Sequence, residues 1–146
     1  MNKMKIALAS DHAGFEKKQV IMNFLKEQGI EFKDFGAYSD ESSDYPDWAH
    51  PMAKAVEDGD FELGISLCGS GNGINMTANK HQQIRSAICW TPEIAELARL
   101  HNDANVCALP ARFINDEEAL QIVKTFLSTD FEGGRHVRRI NKMPLS

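Results

Sequence analysis

A thiol followed by a glycine-rich loop is the most chemically suggestive feature of this 146-residue sequence. Cys68 directly precedes the loop, and residues 74–80 after it have helical character. The loop consists of Gly69, Ser70, Gly71, Asn72 and Gly73. Glycines let backbone N–H groups turn toward a ligand, and a helix start adds positive potential. The loop therefore predicts a site for an oxyanion or a phosphate, although its spacing matches neither the Rossmann fingerprint nor a P-loop.

Cys68 is the thiol that this loop could activate. Nearby N–H groups favour a thiolate, which can act as a nucleophile or as a base. A free cysteine is more often an inert, buried apolar residue. Cys89 and Cys107 fit that description, whereas Cys68 alone is followed by a glycine loop.

Two histidine segments could supply acid or base chemistry. Asp11 and His12 follow the first predicted strand and lead into a helix, a natural place for acid/base catalysis or anion binding. The structural alternative is that Asp11 caps the helix and His12 is a surface residue. His101, followed by Asn102, lies seven residues after Ile94, and that spacing taken alone favours a core histidine.

An arginine cluster near the end of the chain indicates a phosphate site. Arg135 and Arg139 would share one face of a helix, with Arg138 adjacent. Two or three guanidinium groups can converge on one dianionic phosphate, and Arg112 could join them. A solvated basic tail is the ordinary alternative.

The pattern of the whole chain predicts an α/β fold, a three-layer αβα sandwich with a Rossmann-like five-stranded parallel sheet. Parallel sheets bind ligands at the carboxyl ends of their strands, so we expect the candidate residues to cluster just after the strands. The predicted strands are Lys5–Ala9, Glu31–Phe35, Leu63–Cys68, Ser86–Cys89 and Val106–Leu109.

Helix signals place the remaining elements. Asp47 is expected to cap a helix over Trp48–Glu57, Thr91 precedes a helix with Pro92 in its first turn, and Asn115 or Asp116 begins the last long helix. The Ser- and Asp-rich loop Ala37–Pro46 is expected to be solvated and mobile.

Composition excludes several classes of protein. The length fits a single domain over residues 1–146, and there is no apolar run or leader that would indicate a membrane role. Three dispersed cysteines predict neither disulfides nor zinc, and they fit a cytoplasmic location. A net charge of -5 disfavours nucleic-acid binding.

Taken together, the motifs resemble those of the B-type ribose-5-phosphate isomerases, and the resemblance covers nearly the whole chain. The motifs are Asp11-His12, Cys68–Gly73, Asn79-Lys80, His101-Asn102-Asp103, Asn105-Val106, Arg112 and Glu132-Gly-Gly-Arg135-His136. The resemblance implies isomerisation of ribose 5-phosphate to ribulose 5-phosphate, a step of the pentose phosphate pathway, without metal or cofactor. It also implies a homodimer or a dimer of dimers with shared active sites.

The resemblance further implies a role for each matched residue. His101 would help to open the furanose ring with Asp11 nearby, and Cys68 would move the proton between C2 and C1. The backbone of Gly69–Gly73, together with Ser70, would hold the enediolate oxygen. The sugar contacts would be Asp11, His12 and Asn102, and the phosphate ligands Arg112, Arg135 and Arg139.

Two positions depart from the family pattern. Many cysteine-type members have Thr at the position of Ser70, and a branch with this form of the loop uses a Glu base just after it. That position is Ile74 here, which leaves Cys68 as the base. Arg138 has no matched role, and we expect His50 and His81 to be surface residues.

Other substrates and another class of function stay open from the sequence. Relatives act on allose 6-phosphate or galactose 6-phosphate, and the intact His101-Asn102-Asp103 segment argues against the latter. A non-catalytic nucleotide- or phosphate-binding module could use the same glycine loop, but it would leave Cys68 and His101 without a role.

Overall fold

Strands and helices alternate along the chain in the computed structural model, which describes residues 4–145. Residues 1–3 and 146 of the predicted domain lie outside that range. The strands are β1 Lys5–Ser10, β2 Glu31–Asp34, β3 Leu63–Cys68, β4 Ser86–Ile88 and β5 Val106–Pro110. The helices are α1 Phe15–Glu27, α2 Tyr45–Glu57, α3 Asn72–Ala78, α4 Pro92–Asn102, α5 Asp116–Ser128 and α6 His136–Ile140.

The five strands form one parallel sheet in the order β2-β1-β3-β5-β4. This confirms the predicted sheet, with strand ends that differ by at most one residue from the expected ones. The chain leaves β1 toward β2 on one side and later returns to β3 on the other. This reversal of strand order lies between β1 and β3, where open α/β sheets bind ligands at the carboxyl ends.

Helices cover both faces of the sheet, which confirms the αβα sandwich. Side chains alternate along each strand, so Ile6 and Leu8 of β1 pack into one core and Ala7 and Ala9 into another. The first core also receives side chains from α1, α4 and α5, including Phe126. The second lies beneath α2, where the small alanine side chains leave room for the close approach of that helix.

The starts of the long helices follow their local chemistry. Thr91 accepts a hydrogen bond from Ile94 N at 3.2 Å, and the last long helix begins with a capping box between Asn115 and Glu118. Asn115 is therefore the cap, and Asp116 is the first helical residue.

The expected cap of the second helix, Asp47, is wrong. The helix begins at Tyr45 and its cap residue is Asp44, because Pro46 fits the first turn, where no N–H partner is needed. The mostly exposed loop predicted over Ala37–Pro46 consequently ends at Asp44. The helical segment after the glycine loop is likewise shifted, from the expected residues 74–80 to Asn72–Ala78.

None of the helices within residues 4–145 combines the length and apolar character that a membrane crossing needs.

Candidate active site

The carboxyl ends of β1, β3 and β5 bring three predicted segments to one edge of the sheet. Ser10 is the register partner of Leu67, and Cys68 is the register partner of Pro110. Backbone bonds continue this alignment beyond the strands: Arg112 N donates to Gly69 O at 3.0 Å. Asp11, the thiol with its glycine loop, and Arg112 therefore lie at adjacent strand ends.

Asp11 shapes the turn after β1. Its side chain is buried, and Oδ1 accepts hydrogen bonds from Ala13 N at 2.9 Å and Gly14 N at 3.2 Å. The cap position of α1 is Gly14, not Asp11, so the simple capping alternative is wrong. Oδ2 takes no part in these two bonds.

His12 is tied to the loop that precedes α2. Its Nδ1 accepts a hydrogen bond from Ser43 N at 3.1 Å, and because a backbone N–H can only donate, Nδ1 carries no proton. Nε2 is then the ring atom that can donate to a ligand. His12 is half-buried, not simply a surface residue.

Close packing explains why the loop after β3 needs glycine. Gly71 has φ of 81°, and a Cβ there would lie 3.3 Å from the backbone of Leu109 and Pro110. A Cβ on Gly69 would lie 3.2 Å from Arg112 Nη1, which shows that the guanidinium group rests beside the loop. Ser70 Oγ accepts a bond from Asn72 N at 3.2 Å and so tightens the turn.

Cys68 is distinct from the other two thiols. It is 4% exposed at the end of β3, and it packs with Ala49, Ile74 and Ala108. Cys89 and Cys107 are fully buried in the first core. A hydrogen bond with Cys89, together with burial, raises the pKa of the Cys107 thiol well above its ordinary value. Because both side chains are fully enclosed by the core, neither is placed where it could reach a substrate.

The predicted residues at the end of α4 lie at the opposite edge of the sheet. Helix α4 returns the chain to the amino end of β5, where Asn105 N donates to Arg85 O just before β4. The five residues of β5, at about 3.3 Å each, separate its two ends by roughly 13 Å. His101 and Asn102 thus lie far from Cys68 within one chain, and the expectation that all candidate residues follow strands is wrong for them.

The arginines divide in the same way. Arg135 and Arg139 are exposed at the start and within α6, which packs against α4 at the amino edge. Arg112 lies at the carboxyl edge. The three arginines therefore cannot surround one phosphate within a single protomer.

His101 belongs to a second cluster that sequence reasoning missed. Its ring stacks on that of His136 with centroids 4.5 Å apart, and Glu132 Oε2 lies 3.8 Å from His101 Nε2 and 3.5 Å from His136 Nε2. The His101 side chain is 40% exposed, so it is not the core histidine that its spacing favoured. Glu132 and His136 had appeared in the C-terminal motif, but no signal in the sequence linked them to His101.

Two further features were also missed by sequence reasoning. The ring of Tyr45 lies against Gly73, so Tyr45 borders the glycine loop. His50 and His81, expected to be surface residues, pair with each other: His50 Nδ1 and His81 Nε2 lie 2.9 Å apart, and Glu57 lies 3.6 Å from His81 Nδ1. His50 is exposed and His81 half-buried.

Comparison with known proteins places this arrangement among relatives of matching length. Residues 6–143 match the model of a family described as Ribose/Galactose Isomerase. Ribose-5-phosphate isomerase B of Escherichia coli is 44% identical over 136 residues, which are 93% of this chain and 91% of that protein.

Solved structures agree with the sequence matches. A ribose 5-phosphate isomerase from Thermotoga maritima has a TM-score of 0.97 and 49% identity, covering 99% of this chain and 100% of its own. Ribose-5-phosphate isomerase B from Mycoplasma genitalium, solved with bound ribulose-5-phosphate, has a TM-score of 0.91 and 42% identity, with 97% and 95% of the two chains covered.

Proposed function

The chain is an isomerase that belongs to the Ribose/Galactose Isomerase family, and on that premise we propose that it interconverts ribose 5-phosphate and ribulose 5-phosphate. The observation that carries the proposal is the position of Cys68 at the end of a buried strand. The thiol lies next to the strand end that leads into Asp11, and the glycine loop follows it directly. An aldose-ketose isomerase needs a base beside the carbonyl carbon and donors aimed at the developing oxyanion.

In the proposed mechanism the substrate reacts in its open-chain form. His101 opens the furanose ring with Asp11 nearby, and the Cys68 thiolate removes the proton from C2. The electron pair moves to the carbonyl oxygen and forms an enediolate, which the backbone of Gly69–Gly73 and Ser70 stabilise. The proton of the C2 hydroxyl passes to O1, the electron pair left on O2 forms the C2 carbonyl, and the thiol returns its proton to C1, which gives the ketose.

Substrate contacts are assigned to two groups of residues. Asp11, His12 and Asn102 contact the sugar, and Arg112, Arg135 and Arg139 bind the phosphate. Since Asn102, His101 and two of these arginines lie at the far edge of the sheet from Cys68, we assign them to a second copy of the chain.

The proposed assembly is a homodimer or a dimer of dimers in which each site combines the carboxyl edge of one protomer with the amino edge of its partner. Met76 in α3 and Trp90 just after β4 are large side chains that are 63% and 54% exposed. They support an interface at the segments that follow β3 and β4. The reaction uses no metal or cofactor, and three unpaired cysteines support a cytoplasmic location.

The test compares kcat/KM for ribose 5-phosphate with kcat/KM for allose 6-phosphate, with ATP binding measured as a control. A preference for ribose 5-phosphate is expected. A preference for allose 6-phosphate would reassign the substrate to a six-carbon sugar. Absence of turnover on both sugars, with tight binding of ATP, would replace the isomerase proposal with a nucleotide-binding module.

A further inference from the structure

Glu132 lies beside two stacked imidazoles at the amino edge of the sheet. Its Oε2 is within ion-pair distance of Nε2 in both rings, 3.8 Å from His101 and 3.5 Å from His136. The His136 side chain is 8% exposed, and its Nε2 has no hydrogen-bond partner among the described residues. A buried imidazole nitrogen without another partner is stabilised by the nearby carboxylate.

Two hydrogen bonds with α4 hold the segment around Glu132 in this position. Arg99 Nε donates to Thr129 O at 3.1 Å, and Glu132 N donates to Leu100 O at 3.1 Å. The segment that contains Glu132 is thus attached at two points to the last turns of the helix that carries His101. This attachment fixes the carboxylate relative to the imidazole more tightly than an exposed side chain would achieve alone.

The ring geometry favours proton positioning over metal binding. Three groups with atoms within 4.8 Å of one another could in principle hold a cation. The two ring planes, however, are inclined by only 16°, so their Nε2 lone pairs lie in separate, nearly parallel planes and do not converge on one ion. An ion pair needs no such convergence, so one carboxylate oxygen can attract both rings at the observed 3.8 and 3.5 Å.

We propose that Glu132 is a positioning residue for ring opening, holding His101 with its proton on Nε2 so that Nδ1 is free to act as the base. His136 stacks against His101 and shares the carboxylate, which restricts rotation of the ring. The inference rests on the proposed function, which assigns ring opening to His101. It follows the general rule that the partner of one imidazole nitrogen sets the protonation of the other.

The step is balanced in protons and electrons. His101 Nδ1 takes the proton of the anomeric hydroxyl, and the O–H electron pair forms the C1 carbonyl as the bond between C1 and the ring oxygen breaks. The resulting imidazolium, held by Glu132, returns its Nδ1 proton to the departing ring oxygen. The product is the open-chain aldose on which Cys68 acts.

Ribulose 5-phosphate separates this step from the later proton transfer. Its C5 oxygen carries the phosphate, so it has no hydroxyl that could close a five-membered ring on C2, and it is always open-chain. Exchange of its C1 hydrogen with solvent therefore measures the action of Cys68 alone. Turnover of ribose 5-phosphate requires ring opening as well.

The experiment compares Glu132→Gln with the wild type in both reactions, measuring turnover of ribose 5-phosphate and deuterium uptake at C1 of ribulose 5-phosphate by proton NMR. Loss of the orienting charge should lower kcat for ribose 5-phosphate by roughly 10- to 100-fold, part of the usual contribution of general acid–base catalysis. The exchange rate should stay within about twofold of the wild type. Glu132→Asp should recover part of the loss, because it restores the charge.

The matched control is Asp130→Asn, an equal change of charge at an exposed residue of the same segment, and it should leave both rates unchanged. Equal losses of turnover and exchange in Glu132→Gln, or no loss in either, would overturn the positioning role while the proposed function stands. A wild-type protein that neither turns over ribose 5-phosphate nor exchanges the C1 hydrogen would overturn the proposed function and this inference together.

Discussion

Gly73 leaves the space that the phenol ring of Tyr45 occupies: a Cβ at residue 73 would lie 2.7 Å from Tyr45 Cε1. No side chain fits there unless the ring moves away from the loop. We expect Gly73→Ala to destabilise the protein by about 1–3 kcal/mol, as overpacking generally does. The variant should also lower kcat/KM, because the loop beside Cys68 is displaced. Urea unfolding and steady-state kinetics measure the two effects.

Gly69→Ala is the matched control, since its Cβ would meet the flexible end of Arg112 at 3.2 Å. It should cost less stability than the change at residue 73. In a double-mutant cycle, Tyr45→Ala should relieve most of the cost of Gly73→Ala. Additive losses in the cycle would show that the clash with the ring is not the cause.

Removal of the Cys68 thiol should stop proton transfer and spare binding. Cys68→Ala is expected to lower C1 exchange in ribulose 5-phosphate by at least about 100-fold, because the proposed base is lost. Binding of ribose 5-phosphate, measured by calorimetry, should change by less than about threefold, since no phosphate ligand is removed. Cys89→Ala, a change to a thiol in the core, should retain turnover. Wild-type exchange in Cys68→Ala would exclude the thiolate mechanism.

The separation of Cys68 and His101 at opposite sheet edges leads to a complementation test. Cys68→Ala and His101→Asn should each be inactive alone. If each site takes the two residues from different protomers, co-refolding an equal mixture should restore about one quarter of wild-type activity, because half of the dimers are mixed and each mixed dimer has one intact site. Failure to recover activity in mixed dimers isolated by two affinity tags would place both residues in one protomer's site.

Two neighbouring arginines of the C-terminal segment should respond differently to substitution. Arg135→Ala should raise KM for ribose 5-phosphate by about 10-fold or more, in line with the loss of a charge-assisted hydrogen bond. Arg138→Ala removes the same charge from the adjacent helix, α6, and should have a small effect. Equal KM values in the two variants would indicate that the basic run acts only as a general positive field.

The sequence predicted the sheet well because each strand is a short apolar run with turn residues on both sides. It also predicted which residues follow β1, β3 and β5, since strand ends are local features. The cap at Asp47 failed because Pro46 fits the first turn of that helix, which begins three residues before the expected start at Trp48.

The parts of the site that depend on distant contacts could not be predicted. Glu132 meets His101 only because Thr129 O accepts a bond from the Arg99 side chain and Glu132 N donates to Leu100 O, and these contacts with α4 have no periodic signal. His101 and Arg135 lie at the far edge because the helix after each parallel strand carries the chain back to the amino end of the sheet. The sequence identified each candidate residue singly, but only the fold shows which of them lie at the same edge of the sheet.

Lys18 is a fully buried cation that links β2 to the segment after it. Its Nζ donates to Asp34 Oδ1 at 2.8 Å and to Ala37 O at 2.5 Å, and its side chain has no exposed surface. Burial lowers the pKa of Lys18 from its ordinary value of 10.5, although Asp34 opposes this shift. The native state therefore loses the proton at lower pH than the unfolded chain does.

That difference gives the protein a distinct response to alkaline pH. Between the lowered pKa and 10.5 the unfolded chain binds more protons at Lys18, so the contribution of this residue to the free energy of unfolding rises with pH. Below both values the contribution is constant.

We expect the stability of the wild type relative to Lys18→Met, which keeps the length of the side chain, to increase from pH 8 toward about pH 10.5. Urea unfolding across this range measures the difference, with Lys26→Met, a change at an exposed lysine, as the control for general alkaline effects. A difference that falls as pH rises would mean that the attraction of Asp34 outweighs burial and that Lys18 stays charged in the native protein.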